Sequence, residues 1–211
     1  MKKTFLAFFC VLFVFHSCKK KNDPDDCPTP AVSPITSSGM PMSVGSYWVY
    51  ESTTVDTNGV NSPMSGSNDS CYFSGDTIIN GNLFFIYISN YGAWETYRRD
   101  SLGYIVDQKG DIHYSATNFT DTLHTESVPG FFYISYLMAD PGAPVNVPAG
   151  SFACKDFLGT AILYPSTYPW DNPRYLHNYY SPGIGLVKDV RFYYSNPSSE
   201  ERRLLRYHIE P

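Results

Sequence analysis

Apolar positions along the chain come in short runs separated by turn residues, the spacing of strands rather than of amphipathic helices. The first run, Phe5–Phe15, is apolar throughout and follows Lys2 and Lys3. It is shorter than the roughly 20 residues a helix needs to cross a bilayer. It ends at Ser17, and a basic cluster, Lys19-Lys20-Lys21, follows. A basic start, an apolar centre and a small residue before a cut are the parts of an export signal, so 1–17 is expected to be removed. Residues 18–43 carry Pro24, Pro28, Pro30, Pro34 and Pro41 among Asp, Ser and Thr. Such a stretch buries too little apolar surface to order itself and is predicted to be a flexible tether.

From Val44 to Pro211 the pattern predicts a single β-domain. Val44–Val55 is a β-branched and aromatic strand, and Asp56–Asp69, with Asn58-Gly59, Pro63 and Gly66, is expected as a long turn. Ser70–Ile79 and Leu83–Ile88 flank Asn80-Gly81, a two-residue hairpin signal. Trp94–Arg99, Tyr104–Asp107 and Ile112–Ser115 follow too closely for crossover helices, so neighbours should pair antiparallel. Phe131–Met138, Pro148–Tyr164, Tyr175–Tyr180, Leu186–Tyr194 and Arg203–Ile209 complete the strands, with Asn118–Pro129 and Asp140–Pro148 expected as irregular connections. No period of roughly 20–50 residues recurs. The fold class is therefore all-β, an antiparallel meander of about ten or eleven strands forming an open or nearly closed barrel. A β-sandwich is the alternative.

Composition agrees. Aromatic residues make up 17%, with 18 Tyr, while good helix formers are sparse. The net charge is −5, and Lys2 and Lys3 leave with the signal. An acidic chain without a basic stripe argues against nucleic acid and against electrostatic docking on anionic lipid.

Ser17-Cys18 at the end of the apolar run resembles the lipobox of bacterial lipoproteins. That resemblance implies that Cys18 becomes the first residue and carries the lipid, including palmitate. The charged cluster Lys19–Asp26 resembles the export tags of surface lipoproteins in the Bacteroidetes, implying a cell-envelope address, lipid-anchored at the outer membrane on its periplasmic or surface face. Three further phrases, Gly45-Ser46-Tyr47-Trp48-Val49-Tyr50, Pro148-Ala149-Gly150-Ser151-Phe152 and Ser181-Pro182-Gly183-Ile184-Gly185-Leu186-Val187-Lys188, resemble a broad group of secreted bacterial β-proteins of unknown function. Physically they read as fold devices, since Gly183 and Gly185 permit conformations and close approaches that a side chain blocks.

Cys10 leaves with the signal and Cys18 takes the lipid, so Cys27, Cys71 and Cys154 remain. Export into an oxidising compartment makes a Cys71–Cys154 bridge the expected pairing, with two buried thiols as the alternative. His113, His124, His177 and His208 have no metal-ligand spacing, so neither metal nor cofactor is expected. His177 is expected to point to solvent. Glu51, Glu95 and Glu126 could pair as glycosidase carboxylates only by fold, because nothing local brings them together. Tyr164, Tyr168, Trp170, Asp171 and Arg174 place aromatic planes beside polar groups on one Pro-rich loop, a mixture suited to a ligand at a barrel mouth. The competing role for them is to cap the barrel end. Asp76-Thr77-Ile78, Asp100-Ser101-Leu102 and Asp121-Thr122-Leu123 resemble the O-glycosylation triplet of exported Bacteroidetes proteins, with sugar on Thr77, Ser101 and Thr122.

These features point to a membrane-tethered, non-catalytic β-domain whose partner is a carbohydrate, lipid or envelope protein. The other classes are a cell-envelope hydrolase, which needs a carboxylate or His pair in a deep cleft, and a lipid or lipoprotein carrier, which needs an apolar concave face.

Overall fold

A computed structural model describes residues 39–90, 94–164 and 172–211, all within one compact unit, Ser33–Pro211. Twelve strands form one antiparallel sheet and two more form a separate hairpin. In chain order they are β1 (Tyr47–Val55), β2 (Asn61–Ile79), β3 (Asn82–Ser89), β4 (Trp94–Ser101), β5 (Tyr104–Asp107), β6 (Ile112–Ser115), β7 (His124–Val128), β8 (Phe132–Ala139), β9 (Val145–Val147), β10 (Gly150–Phe152), β11 (Lys155–Leu163), β12 (Arg174–Ser181), β13 (Gly185–Phe192) and β14 (Ser199–His208).

The sheet order is β6-β5-β4-β3-β2-β1-β14-β13-β12-β11-β8-β7. The chain therefore winds one way from β1 to β6, resumes at the far edge, and returns to pair β14 with β1. Joining the two terminal strands moves the seam of the barrel to mid-chain, between β6 and β7. Among the described residues no backbone ladder crosses that seam in the sheet. Side chains of β6 reach inward past the seam: Tyr114 packs against Tyr180 on β12 with ring centroids 5.2 Å apart. Ser115 N–H donates to the Met138 thioether at 3.3 Å instead of to a carbonyl. The result is a nearly closed barrel.

The three quoted phrases interlock through the core and the paired β1–β14 region. Trp48, fully buried, donates its indole N–H to the Ile184 carbonyl at 2.6 Å and meets Phe73 edge-on at 5.8 Å. Gly185 has φ +101°, and a Cβ there would lie 3.3 Å from the Trp48 indole nitrogen. Beyond its pairing with β13, strand β14 offers the Leu204 carbonyl to Ala149 N–H at 3.0 Å, which docks the β9–β10 hairpin. Trp48, Tyr50, Val187 and Leu204 are fully buried here, each contributing roughly 1.5–3 kcal/mol by transfer from water.

Several expectations need correction. Asp56–Asp69 is not a long turn. The turn is confined to Asp56–Val60, where Asp56 Oδ1 accepts the N–H of Asn58 at 2.9 Å and of Val60 at 2.8 Å. Asn61–Asn68 is strand despite its polar sequence, because Asn61–Pro63 pair with Thr53–Val55 of β1 and Asn68 pairs with Glu51, with a register shift between the two stretches. The polar connection after β6 contains β7, a mostly exposed edge strand held by backbone bonds to β8. The loop before Pro148 contains β9, and the strand predicted from Pro148 to Tyr164 is broken into β10 and β11. The predicted tether ended at 43, yet Met40 is buried against the core and Gly39 lies over the Tyr114 ring. By contrast Asn80 (φ +50°) and Gly81 (φ +77°) form the two-residue turn their sequence calls for.

The expected Cys71–Cys154 bridge is not formed: both are buried free thiols. Cys71 Sγ lies 3.4 Å from Asp69 Oδ2, whereas Cys154 Sγ faces the Phe152 carbonyl at 3.5 Å. Burial raises both thiol pKa values, that of Cys154 to about 11.

Candidate functional site

Alternation along β14 turns Glu200, Arg202 and Leu204 inward. Asp189 of β13 stands directly opposite Arg202 in the register. Arg202 donates from Nε to Asp189 Oδ2 at 2.7 Å and from Nη2 to the same oxygen at 2.6 Å, while Nη1 reaches Asp69 Oδ2 of β2. The guanidinium also lies over the Tyr50 ring, 4.7 Å from its centroid. Burial works against its charge, but Asp189 and the other acidic groups around it outweigh that and hold its pKa well above the ordinary value. This is a structural ion triad, buried except where Arg202 borders the hollow beside it.

Next to it the barrel is hollow. A cavity of about 360 Å³ is walled by Arg98, Arg191, Arg202, His113, Asn178 and Tyr180, with Thr96, Tyr87 and Ser89 alongside. Among the described residues no carboxylate forms part of that wall. The carboxylates stand behind the arginines and do not bind them all equally. Arg98 reaches Asp107 at 3.9 Å, too long for a good hydrogen bond. Arg191 gives only Nε to Asp189, at 3.3 Å. Thr96, two residues from Arg98 on the same face of β4, buries its hydroxyl without any hydrogen-bond partner among the described residues. A buried polar group left unpaired costs free energy unless something else satisfies it.

A second cavity of about 310 Å³ shares His113, Asn178, Tyr180 and Arg191 with the first and adds His124, Glu126 and Tyr136 at the seam. The His113 and His124 rings face each other across β6 and β7 with centroids 6.4 Å apart. His124 Nδ1 lies 3.5 Å from Asp111 Oδ1, and its Nε2 lies 3.5 Å from Glu126 Oε1. His113 Nε2 lies 3.4 Å from Asp107 Oδ2. Burial, and then the Arg98 charge, lower the His113 pKa to about 4, so this imidazole is neutral at pH 7. A neutral imidazole oriented by a carboxylate can accept a proton, but among the described residues no hydroxyl or thiol is hydrogen-bonded to it as a nucleophile.

The other predicted residues fall elsewhere. Tyr168, Trp170 and Asp171 lie outside the described residues, as does Cys18. Arg174 is committed to the fold: its guanidinium donates to the carbonyls of Tyr193, Asn196, Pro197 and Ser198 at 2.8 to 3.1 Å and lies over the Phe192 ring. Tyr164, half exposed, uses its carbonyl to accept the Tyr194 hydroxyl at 2.6 Å. His177 is not simply solvent-facing. Its Nδ1 lies 2.6 Å from buried Asp156, and its ring stacks on Tyr179. Thr122 is exposed in the β6–β7 connection, whereas Thr77 and Ser101 are half buried in β2 and β4. Among the described residues no group of three or more His, Cys, Asp or Glu side chains could hold a metal ion, and no helix is long and apolar enough to cross a membrane.

No family model matches the sequence, and no curated protein matches it. Two solved structures are similar to the chain. One is a protein of Parabacteroides distasonis named as a candidate lipoprotein, 12% identical, with a TM-score of 0.46 over 82% of this chain and 99% of that one. The other is a protein of Bacteroides fragilis named as a candidate exported protein with a YmcC-like fold, 14% identical, with a TM-score of 0.44 over 80% and 98% of the two chains.

The site missed by sequence reasoning is the interior wall. Its signal was faint: the polar alternation of Thr96 and Arg98 in β4, and of Asp189 and Arg191 in β13, on positions an apolar pattern leaves unassigned.

Proposed function

We propose that this protein is a non-catalytic, lipid-anchored component of the cell envelope, tethered at the outer membrane through Cys18, whose barrel binds a polar small molecule in the cavity beside the β6–β7 seam. The observation carrying the binding half is the cavity of about 360 Å³ whose wall holds Arg98 with only a 3.9 Å carboxylate contact and a buried Thr96 hydroxyl with no partner among the described residues. Ligand pockets run from about 300 Å³ upward, with a few placed polar groups that orient the guest. Met40, Cys71, Ile105 and Leu186 also line the cavity, but its arginines, His113 and Thr96 interrupt the continuous apolar face that a lipid carrier needs. The anchor rests on the signal-like 1–17 segment and on Ser17-Cys18. Two or more acyl chains hold a protein at a membrane lastingly where one does not.

The anchor is tested by expressing wild type and Cys18→Ser with labelled palmitate. Label and membrane fractionation should both be lost in the variant; retention of either ends the lipoprotein reading. For the cavity, the full chain in detergent is melted in the presence of glucose, glucuronate or glucose 6-phosphate. A rise in Tm with at least one, reduced by Thr96→Val, supports binding there. No rise with any of the three counts against a saccharide-sized polar ligand.

A further inference from the structure

We infer that the cavity recognises an anion, a carboxylate or phosphate group borne on a sugar-sized molecule, with Arg98 and Arg191 as its clamps and Thr96 as an added donor. The inference rests on the cavity being the ligand site and adds the sign of the ligand's charge. Its first support is the distribution of charge. The chain as a whole is acidic, at −5, yet Arg98, Arg191 and Arg202 all line one cavity and no described carboxylate shares that wall. Asp69, Asp107 and Asp189 stand behind these arginines, so what the wall turns to the hollow is guanidinium donors rather than unbalanced positive charge.

The second support is how unequally the three arginines are satisfied. Arg202 is saturated by Asp69 and Asp189 and overlies Tyr50, so it has little to give a guest. Arg98 is the reverse: a mostly buried side chain, 17% exposed, with its nearest carboxylate 3.9 Å away. Arg191 commits Nε to Asp189 and leaves both Nη groups without a bond among the described residues. A guanidinium offers five donors in a planar fork suited to carboxylate and phosphate oxygens. Two such forks on β4 and β13, at walls of the same hollow, can grip one anion from two sides.

The third support is the neutral company they keep. His113, whose charge is suppressed by burial and Arg98 and whose Nε2 faces Asp107 at 3.4 Å, adds a ring that carries no charge of its own. Asn178, Ser89 and the unpartnered Thr96 hydroxyl can meet the hydroxyls of the same guest, and Tyr87 and Tyr180 supply flat surfaces for a sugar ring.

The experiment is calorimetric titration of the detergent-solubilised full chain with glucuronate, glucose 6-phosphate, glucose and inorganic phosphate. The two sugar anions, or one of them, should bind, with glucose at least about tenfold weaker, one charge-assisted contact being worth that much. Binding by glucuronate alone assigns a carboxylate, and binding by glucose 6-phosphate alone assigns a phosphate ester. Arg98→Met and Arg191→Met should each weaken the binding by about tenfold or more. Arg203→Met, on the outer face where Arg203 pairs with Glu51 at 2.8 Å, should leave it unchanged. Arg191 is half exposed, so its variant tests the clamp even where Arg98→Met perturbs folding. Equal binding of glucose and the anions overturns the anion assignment and leaves the polar-ligand function standing. Binding unaffected by both arginine substitutions overturns it as well. No binding by any of the four removes both.

Discussion

Arg202 and Arg98 both line the same hollow from inward positions of one barrel, and their surroundings differ sharply. Arg202 sits where β1 and β14 close the sheet, between two carboxylates and over a tyrosine ring, 9% exposed at its side chain. Arg98 sits toward the β6–β7 seam with one distant carboxylate, a neutral histidine and open volume. A backbone ladder fixes strand spacing and lets side chains pack without voids. Where no ladder forms, β6 meets the far strands through a thioether, two ring contacts and the Asp111–His124 pair, and space remains. The paired side of the barrel holds the fold, and the seam side keeps polar groups available.

The difference can be broken most strongly at Arg202. Arg202→Met should destabilise by about 3–5 kcal/mol, because Asp69 and Asp189 would be left buried and uncompensated. Urea unfolding measures it, and a loss below 1 kcal/mol would mean that the triad is not the keystone of the paired side.

The next largest effect lies in acid. The unfolded chain protonates histidine below about 6.5, and folded His113 does so only below about 4. Between those values the unfolded state binds more protons, so stability falls as pH falls through that window, by up to the order of 3 kcal/mol. Asp107, held below its ordinary value by the Lys109 and Asp111 N–H groups against the opposing effect of burial, adds its own loss only at lower pH. His113→Gln should flatten the Tm profile between pH 6.5 and 4; an unchanged slope would place the titration elsewhere.

Arg98→Met should change stability by less than about 1 kcal/mol, since a 3.9 Å pair contributes little. The same substitution should raise the His113 pKa, read by NMR titration of the imidazole, because a neighbouring positive charge has gone. A loss as large as that of Arg202→Met would erase the contrast between the two sides. The smallest effect is expected at the β4–β5 turn, where Leu102 is 96% exposed with φ +56°. Leu102→Asn should stabilise by about 0.5–1 kcal/mol, as asparagine tolerates that backbone region better than leucine.

The all-β class and the antiparallel meander were legible because each is local. A two-residue turn at Asn80-Gly81 and strands too closely spaced for helices are statements about neighbours in sequence. The phrases around Trp48, Ala149 and Gly185 were legible as fold devices for the same reason, since a glycine's backbone freedom belongs to the residue itself. What the tertiary structure alone decided is everything that needs a partner. Asn61–Pro63 and Asn68 became strand because β1 offers them a ladder, not because their side chains ask for one. Cys71 and Cys154 stay apart because a bridge depends on distance, which export chemistry does not supply. The cavity wall gathers Thr96 and Arg98 from β4, His113 from β6, Asn178 from β12 and Arg191 from β13. Polar residues at alternate strand positions face water or a hollow interior equally well until closure of the sheet determines which side is inside.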